Sequence, residues 1–314
     1  MKNPPSNIKK ILVISLSNIG DVILTFPVID VLLRDFPQAK LAVVIGPKAA
    51  ALFEKNPRID QVHIFDKKKQ SFRTLQWIYV LRRERFDLTV DLRHTAIPFM
   101  IGARWRTPVF FRQKQSAVHM KEKHLNCLRS VYAFNPARPQ AKTLFISEED
   151  QKYVDQFIRD EIGGKDFVLL GPGAASQLKR WPEDSFTELA NEIAQRDKLN
   201  IVFIGNQADK SGAERIARKR TFPSVNVCGR MNLTQLAGLM KRAKMLIVND
   251  SGPMHLASYL NVPAIAIFVS TDPNLYGPWG EKGIFIKNPQ VQEILNLFRL
   301  HQGEVVFGDH ETIP

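Results

Sequence analysis

The sequence has 314 residues, of which 44% are hydrophobic and 24% are charged, a composition typical of a globular protein long enough for two domains. No apolar run approaches the ~20 residues of a membrane-spanning helix, and the apolar stretch at 11–16 is too short for a signal-peptide core. Cys127 and Cys228 lie in opposite halves of the chain, without Cys or His residues at metal-binding spacing. We therefore expect a cytoplasmic protein with two reduced thiols.

The net charge of +13 is unevenly distributed along the chain. Residues 1–150 contain 25 Lys and Arg against 13 Asp and Glu, a net +12, whereas residues 151–314 contain 19 against 18, a net +1. Such a one-sided excess indicates a polyanionic partner: a nucleic acid, an anionic membrane surface or a phosphorylated substrate. A basic surface that merely confers solubility is the alternative.

Apolar strand-like runs alternate with helical periodicity in the first half of the chain. The predicted strands are 10–15, 41–46, 61–65, 87–92 and 107–111, and the predicted helices lie near 21–35, 47–55, 71–85 and 119–133. The segment 134–142 contains two prolines and polar residues, which is typical of a linker.

The same alternation restarts after the linker. Strands are predicted at 167–172, 200–205, 224–227, 244–249 and 264–269, with a short one, IFIK, at 284–287, and helices near 184–197, 208–219, 233–243 and 251–260. Buried parallel strands need helices on both faces, so the sequence predicts two doubly wound α/β domains in tandem, facing a central cleft. The domains are expected at 1–145 and 146–288, followed by a last helix at 289–301. Ligands of such sheets bind at the carboxyl ends of the strands.

The first strand-to-helix turn, at 15–21, has no GxGxxG pattern, so a dinucleotide site is not expected there. Gly20 permits a tight turn or a close backbone approach. Asp21 then lies at the start of a helix, where a carboxylate is stabilised by the helix dipole. A carboxylate in this place can also accept a proton as a general base, and the residues alone leave both readings open.

The second turn, GPGAASQLKRWPEDSF at 171–186, follows another buried strand. Gly171 and Gly173 allow the backbone to approach a ligand, and Lys179 and Arg180 supply positive charge. Exposed amides and a cation at a helix entrance suit a phosphate group, although the Walker pattern is absent. An ordinary turn with a solvated Lys-Arg pair is the alternative.

The third turn, VNDSGPMHLASYLNVP at 248–263, is the most informative. The amides of residues 251, 252 and 254 are expected to point out of a helix start beside the Ser251 hydroxyl, which is an arrangement that binds a diphosphate. His255 can donate to a phosphate oxygen, or it can be a packing residue. Asp250 would repel a phosphate, so we expect it to hold loop amides or a ribose.

Two further residues follow strands of the second half. Asp209 lies four residues after Gly205 and can accept hydrogen bonds from ribose hydroxyls or cap a helix. Met231 precedes a helix at a point where a base can lie, although core packing is the usual fate of a methionine.

The ordered motifs together resemble a known family. They are GDVxxTxP near the N-terminus, GPGAxSxxKRWP after a strand, GNQAD after the next, and NDSGPMHLA followed by VPAIAIF and a Tyr-Gly-Pro segment. The combination, spanning about 9–300, is similar to the bacterial lipopolysaccharide heptosyltransferases of glycosyltransferase family 9. No motif of the first half assigns a particular core sugar, so the heptosyltransferase I, II and III types stay open.

The resemblance implies a GT-B fold, with the acceptor on the N-terminal domain and ADP-heptose on the C-terminal one. It also implies that the last helix packs back on the first domain. The implied donor-binding residues are Ser176, Lys179, Asp209, Met231, Asp250, Ser251, Gly252, Pro253, Met254 and His255. Candidate acceptor-binding residues are Gly20, Arg93, Arg104, Arg112, Lys114 and Lys121.

The reaction implied by the resemblance is an inverting transfer of heptose from ADP-heptose to the lipopolysaccharide inner core. Asp21 matches the proposed general base, and neither a metal nor another cofactor is expected. The basic half then suits an anionic glycolipid acceptor at the inner face of the inner membrane, and the segment 97–118 suits rest on that surface without spanning it. We expect a peripheral, monomeric enzyme with no nucleic-acid partner.

Three alternatives remain at this point. A GT-B transferase could use another nucleotide sugar or a protein acceptor, and a sugar-nucleotide epimerase would share the fold. A non-catalytic nucleic-acid-binding protein would explain the charge, but the sequence lacks an RNA motif and a basic-aromatic recognition pattern.

Overall fold

The computed structural model describes residues 7–66, 74–109, 118–135, 143–219 and 222–302. The chain divides into two compact units, Met1–Asp150 and Gln151–Pro314. This division falls five residues after the predicted boundary at residue 145.

The first unit contains a five-stranded parallel sheet. Its strands are β1 (Lys10–Ile14), β2 (Lys40–Ile45), β3 (Gln61–Ile64), β4 (Leu88–Asp91) and β5 (Trp105–Arg106). Its helices are α1 (Ile19–Ile23), α2 (Phe26–Asp35), α3 (Thr74–Arg83), α4 (Ile97–Met100) and α5 (Met120–Arg129), with a 3-10 helix at Pro47–Leu52. The strand order is β3-β2-β1-β4-β5, with β1 central.

Helices cover the central strands, which explains the uninterrupted apolar runs of β1 and β2. On one face Ile78 and Leu81 of α3 pack with Leu12 and Ile14 of β1. Each such side chain contributes roughly 1.5–3 kcal/mol when it is removed from water. Helix α3 is therefore held to the sheet by its inner side.

Two predicted elements of the first half differ from the structure. The single helix predicted at 21–35 is two helices, because the chain breaks at Leu24–Thr25 and Pro27 starts the second helix. The strand predicted at 107–111 is wrong for the described residues 107–109: β5 ends at Arg106, and Pro108 has no N–H to extend the ladder.

The second unit contains a six-stranded parallel sheet of order β11-β10-β9-β6-β7-β8. Its strands are β6 (Phe167–Gly171), β7 (Asn200–Phe203), β8 (Ser224–Asn226), β9 (Met245–Asn249), β10 (Ala264–Phe268) and β11 (Gly283–Lys287). The remaining helices are α6 (Glu148–Ile162), α7 (Glu183–Arg196), α8 (Lys210–Arg218), α9 (Leu233–Met240), α10 (Gly252–Leu260), α11 (Pro273–Tyr276) and α12 (Val291–His301). Helix α6, which begins before the unit boundary, was not among the predicted elements.

The last helix, α12, packs in the core of the second unit, and the expectation that it packs back on the first domain stays a prediction. Its apolar stripe, which includes Ile294, Leu295 and Phe298, is buried in the core beside α7 and β10. Arg299 pairs with Asp197 at the end of α7, with 3.1 Å between Nε and Oδ1. The amphipathic pattern was recognised, but the pattern alone does not say which sheet receives it.

Cys127 and Cys228 are buried and unpaired. Burial raises the pKa of each thiol to about 12. Among the helices of the described ranges, none combines the length and the apolar content needed to cross a bilayer.

Candidate active site

Asp21 is in the first turn of the short helix α1, directly after β1. Its carboxylate is half-buried and accepts a hydrogen bond from the Asn18 side-chain amide, with 3.0 Å between Nδ2 and Oδ2. Asn18 occupies the N-cap position but makes no side-chain cap, so neither side chain closes the helix start. Gly20 precedes Asp21 in the same turn. The carboxylate therefore remains partly exposed at the carboxyl end of the central strand.

Buried hydroxyls fix the position of this turn. The Thr25 hydroxyl lies 2.8 Å from the Ser15 hydroxyl at the end of β1 and donates to the Val22 carbonyl at 2.6 Å. Gly46, at the end of β2, lies so close that a Cβ there would be 2.7 Å from the Ser17 Cα. The threonine of the GDVxxTxP motif is thus an anchor between helix and strand, which the sequence pattern alone did not reveal.

In the second unit, α10 begins with Ser251 as N-cap, and Gly252 and Pro253 form its first residues. The Ser251 hydroxyl is buried without a hydrogen-bond partner among the described residues. A buried unpaired hydroxyl costs about 1–3 kcal/mol, so this group is available for a ligand at a helix N-terminus. The amide expected to be free at Met254 is corrected, because it donates to the Ser251 carbonyl at 3.1 Å. The Met254 side chain is fully buried.

Lys179 lies against this turn. Its Nζ is 2.6 Å from Oδ2 of Asp250, and the same carboxylate oxygen accepts the Thr271 hydroxyl at 2.6 Å. Asp250 is 4% exposed, so its charge depends on these partners. Asp250 is thus the counter-ion that places the Lys179 ammonium next to the Ser251 turn, and its expected contact with a ribose stays a prediction.

The loop that carries Lys179 is fastened to the end of β9. The Asn249 side chain accepts from the Trp181 amide at 3.1 Å and donates to the Pro172 carbonyl at 2.8 Å. The Trp181 indole donates to the Pro289 carbonyl at 3.1 Å. Ser176 caps the short helix Gln177–Lys179, its hydroxyl accepting the Leu178 amide at 3.3 Å. These bonds hold the lysine on a fixed support.

Asp209 is 6% exposed and is occupied by structural contacts. It accepts the Asn206 amide at 3.0 Å within a capping box and the Arg180 guanidinium at 3.2 Å. A Cβ at Gly173 would overlap its carboxylate, so that glycine makes room for the acid. Of the two readings of Asp209, the geometry favours the helix cap.

Two other predicted donor residues lie where the sequence placed them. Met231 is half-buried in the bend before α9, next to the N-cap residue Asn232. His255 is 5% exposed on the first turn of α10 and stacks on Trp279, with ring centroids 5.7 Å apart. Stacking on Trp279 holds the imidazole ring in place. A packing role for His255 is therefore compatible with a role in ligand binding.

The candidate acceptor residues are all in the first unit. Arg93 stacks over the Phe65 ring at 5.1 Å, Arg104 is exposed, and the Lys121 ammonium is 3.5 Å from Glu122. Arg112 and Lys114 lie outside the described residues. Arg93 and Lys121 therefore already have partners, an aromatic ring and a carboxylate.

The second-unit turn thus combines a lysine, a helix N-terminus and an unpaired hydroxyl, which together suit a nucleoside diphosphate. Within the described ranges no group of three His, Cys, Asp or Glu side chains is placed to hold a metal ion. The sequence motifs located Lys179 and the α10 turn. They missed Thr271 and Trp279, which carry no local signal, and they gave no role to Asn249, although the NDSGPMHLA motif contains it.

Two Rossmann-like units, one carrying this diphosphate-type turn, form the GT-B fold, which is found in glycosyltransferases. The fold is similar to that of a family 9 glycosyl transferase from Veillonella parvula, with a TM-score of 0.79 at 24% identity, covering 95% of this chain and 90% of that one. It is also similar to Escherichia coli ADP-heptose lipopolysaccharide heptosyltransferase II, with a TM-score of 0.74 at 22% identity, covering 94% and 99%.

Sequence comparison gives the family. Residues 88–299 match the model of glycosyltransferase family 9 (heptosyltransferase), which is more than half of the chain. The lipopolysaccharide heptosyltransferase 3 of Escherichia coli K12 is 26% identical over 288 residues, 83% of this chain and 83% of the relative. The chain therefore belongs to glycosyltransferase family 9 and is a glycosyltransferase.

Proposed function

We propose that this enzyme transfers heptose from ADP-heptose to the inner core of lipopolysaccharide, with inversion at the anomeric carbon. The observation that carries the proposal is the Lys179–Asp250 pair beside the unpaired Ser251 hydroxyl at the start of α10. The heptosyltransferases named above, which are similar in sequence or fold, support the choice of donor and acceptor.

The second unit binds the leaving diphosphate in this proposal. As the bond from C1 to the diphosphate breaks, its electron pair moves to the leaving oxygen. The Lys179 ammonium, the Ser251 hydroxyl and the α10 N-terminus stabilise that negative charge. Fixed donors of this kind each contribute about 2.7–4 kcal/mol to lowering a barrier. Asp250 keeps the ammonium in place before the donor arrives.

The first unit supplies the base. The Asp21 carboxylate takes the proton of the acceptor hydroxyl as the new C1–O bond forms, and ADP leaves with the electrons of the old bond. A half-buried carboxylate whose partner is a neutral amide can accept a proton without losing a structural ion pair. General-base assistance is worth about 10²–10⁴ in rate.

The basic first half suits an anionic glycolipid, because its net charge of +12 attracts phosphates and acidic sugars. Gly20, Arg93, Arg104, Arg112, Lys114 and Lys121 remain the proposed acceptor-binding residues. We propose that the enzyme is a monomer that works at the cytoplasmic face of the inner membrane, and that no metal takes part. Turnover unchanged by EDTA and by added Mg²⁺ tests the last point, and a loss with EDTA that Mg²⁺ restores contradicts it.

The decisive experiment is transfer from ADP-heptose to defined truncated lipopolysaccharides by the parent and by Asp21→Asn. The amide keeps the size of the side chain but cannot take the proton, so kcat should fall by about 10²–10⁴ while ADP affinity stays unchanged. Asp60→Asn removes another exposed carboxylate of the same unit and is the matched control. Full turnover by Asp21→Asn removes Asp21 as the base, and no transfer by the parent with any acceptor rejects the function.

A further inference from the structure

Helices α3 and α4 carry large apolar side chains on the sides that do not pack on the sheet. The inner side of α3 buries Ile78 and Leu81. The outward side chains are Leu75, Tyr79, Val80, Phe99 and Met100, exposed by 73%, 59%, 49%, 66% and 37%. We call this set the α3–α4 face. It contains five of the ten large hydrophobic side chains that are exposed among the described residues, so the exposure is concentrated rather than scattered.

An ordinary surface helix of this chain looks different. Helix α7 also covers a sheet, and its outward positions include the exposed residues Asp184, Glu188 and Arg196. A polar outer side is what water favours for a helix packed on one face. The α3–α4 face therefore carries apolar surface that packing within the first unit does not require.

Arginines border the apolar side chains and join the two helices. The Arg82 guanidinium donates to the Met100 carbonyl at 3.3 Å, which links α3 to α4. Arg83 lies 5.9 Å from the Tyr79 ring centre, and Arg106 lies 5.4 Å from the centre of the Phe99 ring. A surface cavity of about 550 Å³ next to Phe99 is lined in part by Arg104 and Arg106.

No carboxylate of the stretch 74–109, all of which is described, offsets these arginines. The Glu84 carboxylate accepts from the Lys10 ammonium at 3.0 Å. Asp87 accepts the amides of Lys9 and Lys10, and Asp91 is buried under the turn that follows β4. The face is thus apolar in its centre and positively charged at its edge.

We propose that the α3–α4 face docks the first unit on an anionic lipid bilayer. The apolar side chains enter the headgroup boundary, and Arg82, Arg83, Arg104 and Arg106 pair with lipid phosphates. The charge of the border selects the occupant: a second copy of this chain would bring arginines against arginines, whereas an anionic bilayer complements them. This docking deepens the proposed function, on which its purpose rests, because a glycolipid acceptor is reached from the membrane surface.

The test measures co-sedimentation of the full chain with vesicles of phosphatidylglycerol and phosphatidylcholine, without donor or acceptor. Binding should be strong on these vesicles, weak on phosphatidylcholine alone, and reduced by added salt. The double variant Tyr79→Ser, Phe99→Ser should bind at least about tenfold more weakly, because it removes two aromatic rings that enter the headgroup boundary of the bilayer. Arg83→Gln should weaken binding by about fivefold.

Matched controls come from exposed positions of the second unit. Tyr153→Ser and Arg196→Gln remove an exposed aromatic ring and an exposed guanidinium elsewhere, and both should bind vesicles like the parent. All the changes are at exposed positions, and unchanged thermal unfolding confirms that each variant folds.

The outcomes separate this inference from the proposed function. On a deacylated, water-soluble acceptor the double variant should keep the parent's kcat/KM, and on acceptor in vesicles it should lose activity with binding. Equal vesicle binding by the parent and the double variant overturns the docking face even if transfer is normal. Parent dimers that the double variant dissociates also overturn it, because the face would then be an interface between copies. Vesicle binding that follows the expected pattern, with no transfer to any acceptor, rejects only the proposed function.

Discussion

Asp21 and Asp250 each follow a parallel strand, at or just before the start of a helix, but their carboxylates differ in burial and partners. Asp21 is half-buried and accepts from the neutral amide of Asn18. Asp250 is 4% exposed and is bound by the Lys179 ammonium and the Thr271 hydroxyl. One residue type at one kind of position is therefore left partly exposed beside a neutral amide in the first unit and is held as a counter-ion in the second.

The difference follows from what surrounds each strand end. In the second unit, Lys179 arrives from the loop after the neighbouring strand β6, and Thr271 arrives from the segment after β10. In the first unit, the groups at the end of β1 are hydroxyls: Ser15 donates to Thr25, and Thr25 donates to the Val22 carbonyl. A carboxylate loses its availability when a cation and a buried environment are supplied together.

The largest effect that tests this comparison is expected for Lys179→Met. The change keeps most of the stem and removes the ammonium, so the diphosphate loses a donor and Asp250 loses its counter-ion. We expect kcat/KM for the donor to fall by about 10²–10³, the loss typical of one such donor. Lys219→Met removes an exposed, paired ammonium of the same unit and should leave kcat/KM unchanged. Unchanged donor kinetics in Lys179→Met would break the comparison, since Asp250 would then hold no functional cation.

A smaller effect concerns a buried polar group in the first unit. His124 on α5 is 4% exposed, and its Nε2 has no hydrogen-bond partner among the described residues. Burial, with smaller contributions from His94, Lys123 and His119, lowers the pKa of His124 to about 4. The folded state favours the neutral ring, so this stability is present above pH 6.5 and is lost as the pH falls towards 4.

The measurement is urea unfolding at pH 7 and pH 5. The parent should lose roughly 2 kcal/mol of unfolding free energy from His124 over this interval. His124→Phe should remove that part of the pH dependence, and His301→Phe, at an exposed position, should keep it. An identical pH dependence in the parent and in His124→Phe would show that the buried ring does not control acid stability.

The smallest effect is expected for Thr271→Val. The hydroxyl donates to Oδ2 of Asp250 at 2.6 Å, so its loss loosens the carboxylate that positions Lys179. We expect kcat/KM to fall by about tenfold, in line with the loss of one hydrogen bond to a charged group. Thr271→Ser keeps the donor and should restore most of the activity. If valine and serine behave alike, the hydroxyl has no positioning role.

Much of the fold followed from periodicity, because fully buried parallel strands are continuous apolar runs and their helices are amphipathic. Ten of the eleven strands in the described part of the chain coincide with predicted runs. The errors have local causes. Thr25 and Pro27 divide a helix whose hydrophobic pattern is continuous, and the two-residue strand β5 is too short for any periodicity. The sheet that receives α12 depends on tertiary packing.

The location of the candidate residues was predictable where a chemical group must follow a strand, as at Asp21, Lys179 and Ser251. It was less predictable where partners decide the role. Asp209 is bound by Arg180 and by a capping box, and Asp250 is bound by Lys179. Both cations come from the loop after β6. Thr271 could not be found from sequence, because a lone threonine after a strand has no distinctive spacing.

The indole N–H of Trp181 donates a hydrogen bond to the carbonyl of Pro289, 108 residues later in the chain. Pro289 stands immediately before α12, whose apolar stripe closes the core of that unit. The position of the loop that carries Lys179 therefore depends on the segment that begins α12. A substitution that displaces α12 is therefore expected to loosen the loop that carries Lys179 before it disturbs the first unit.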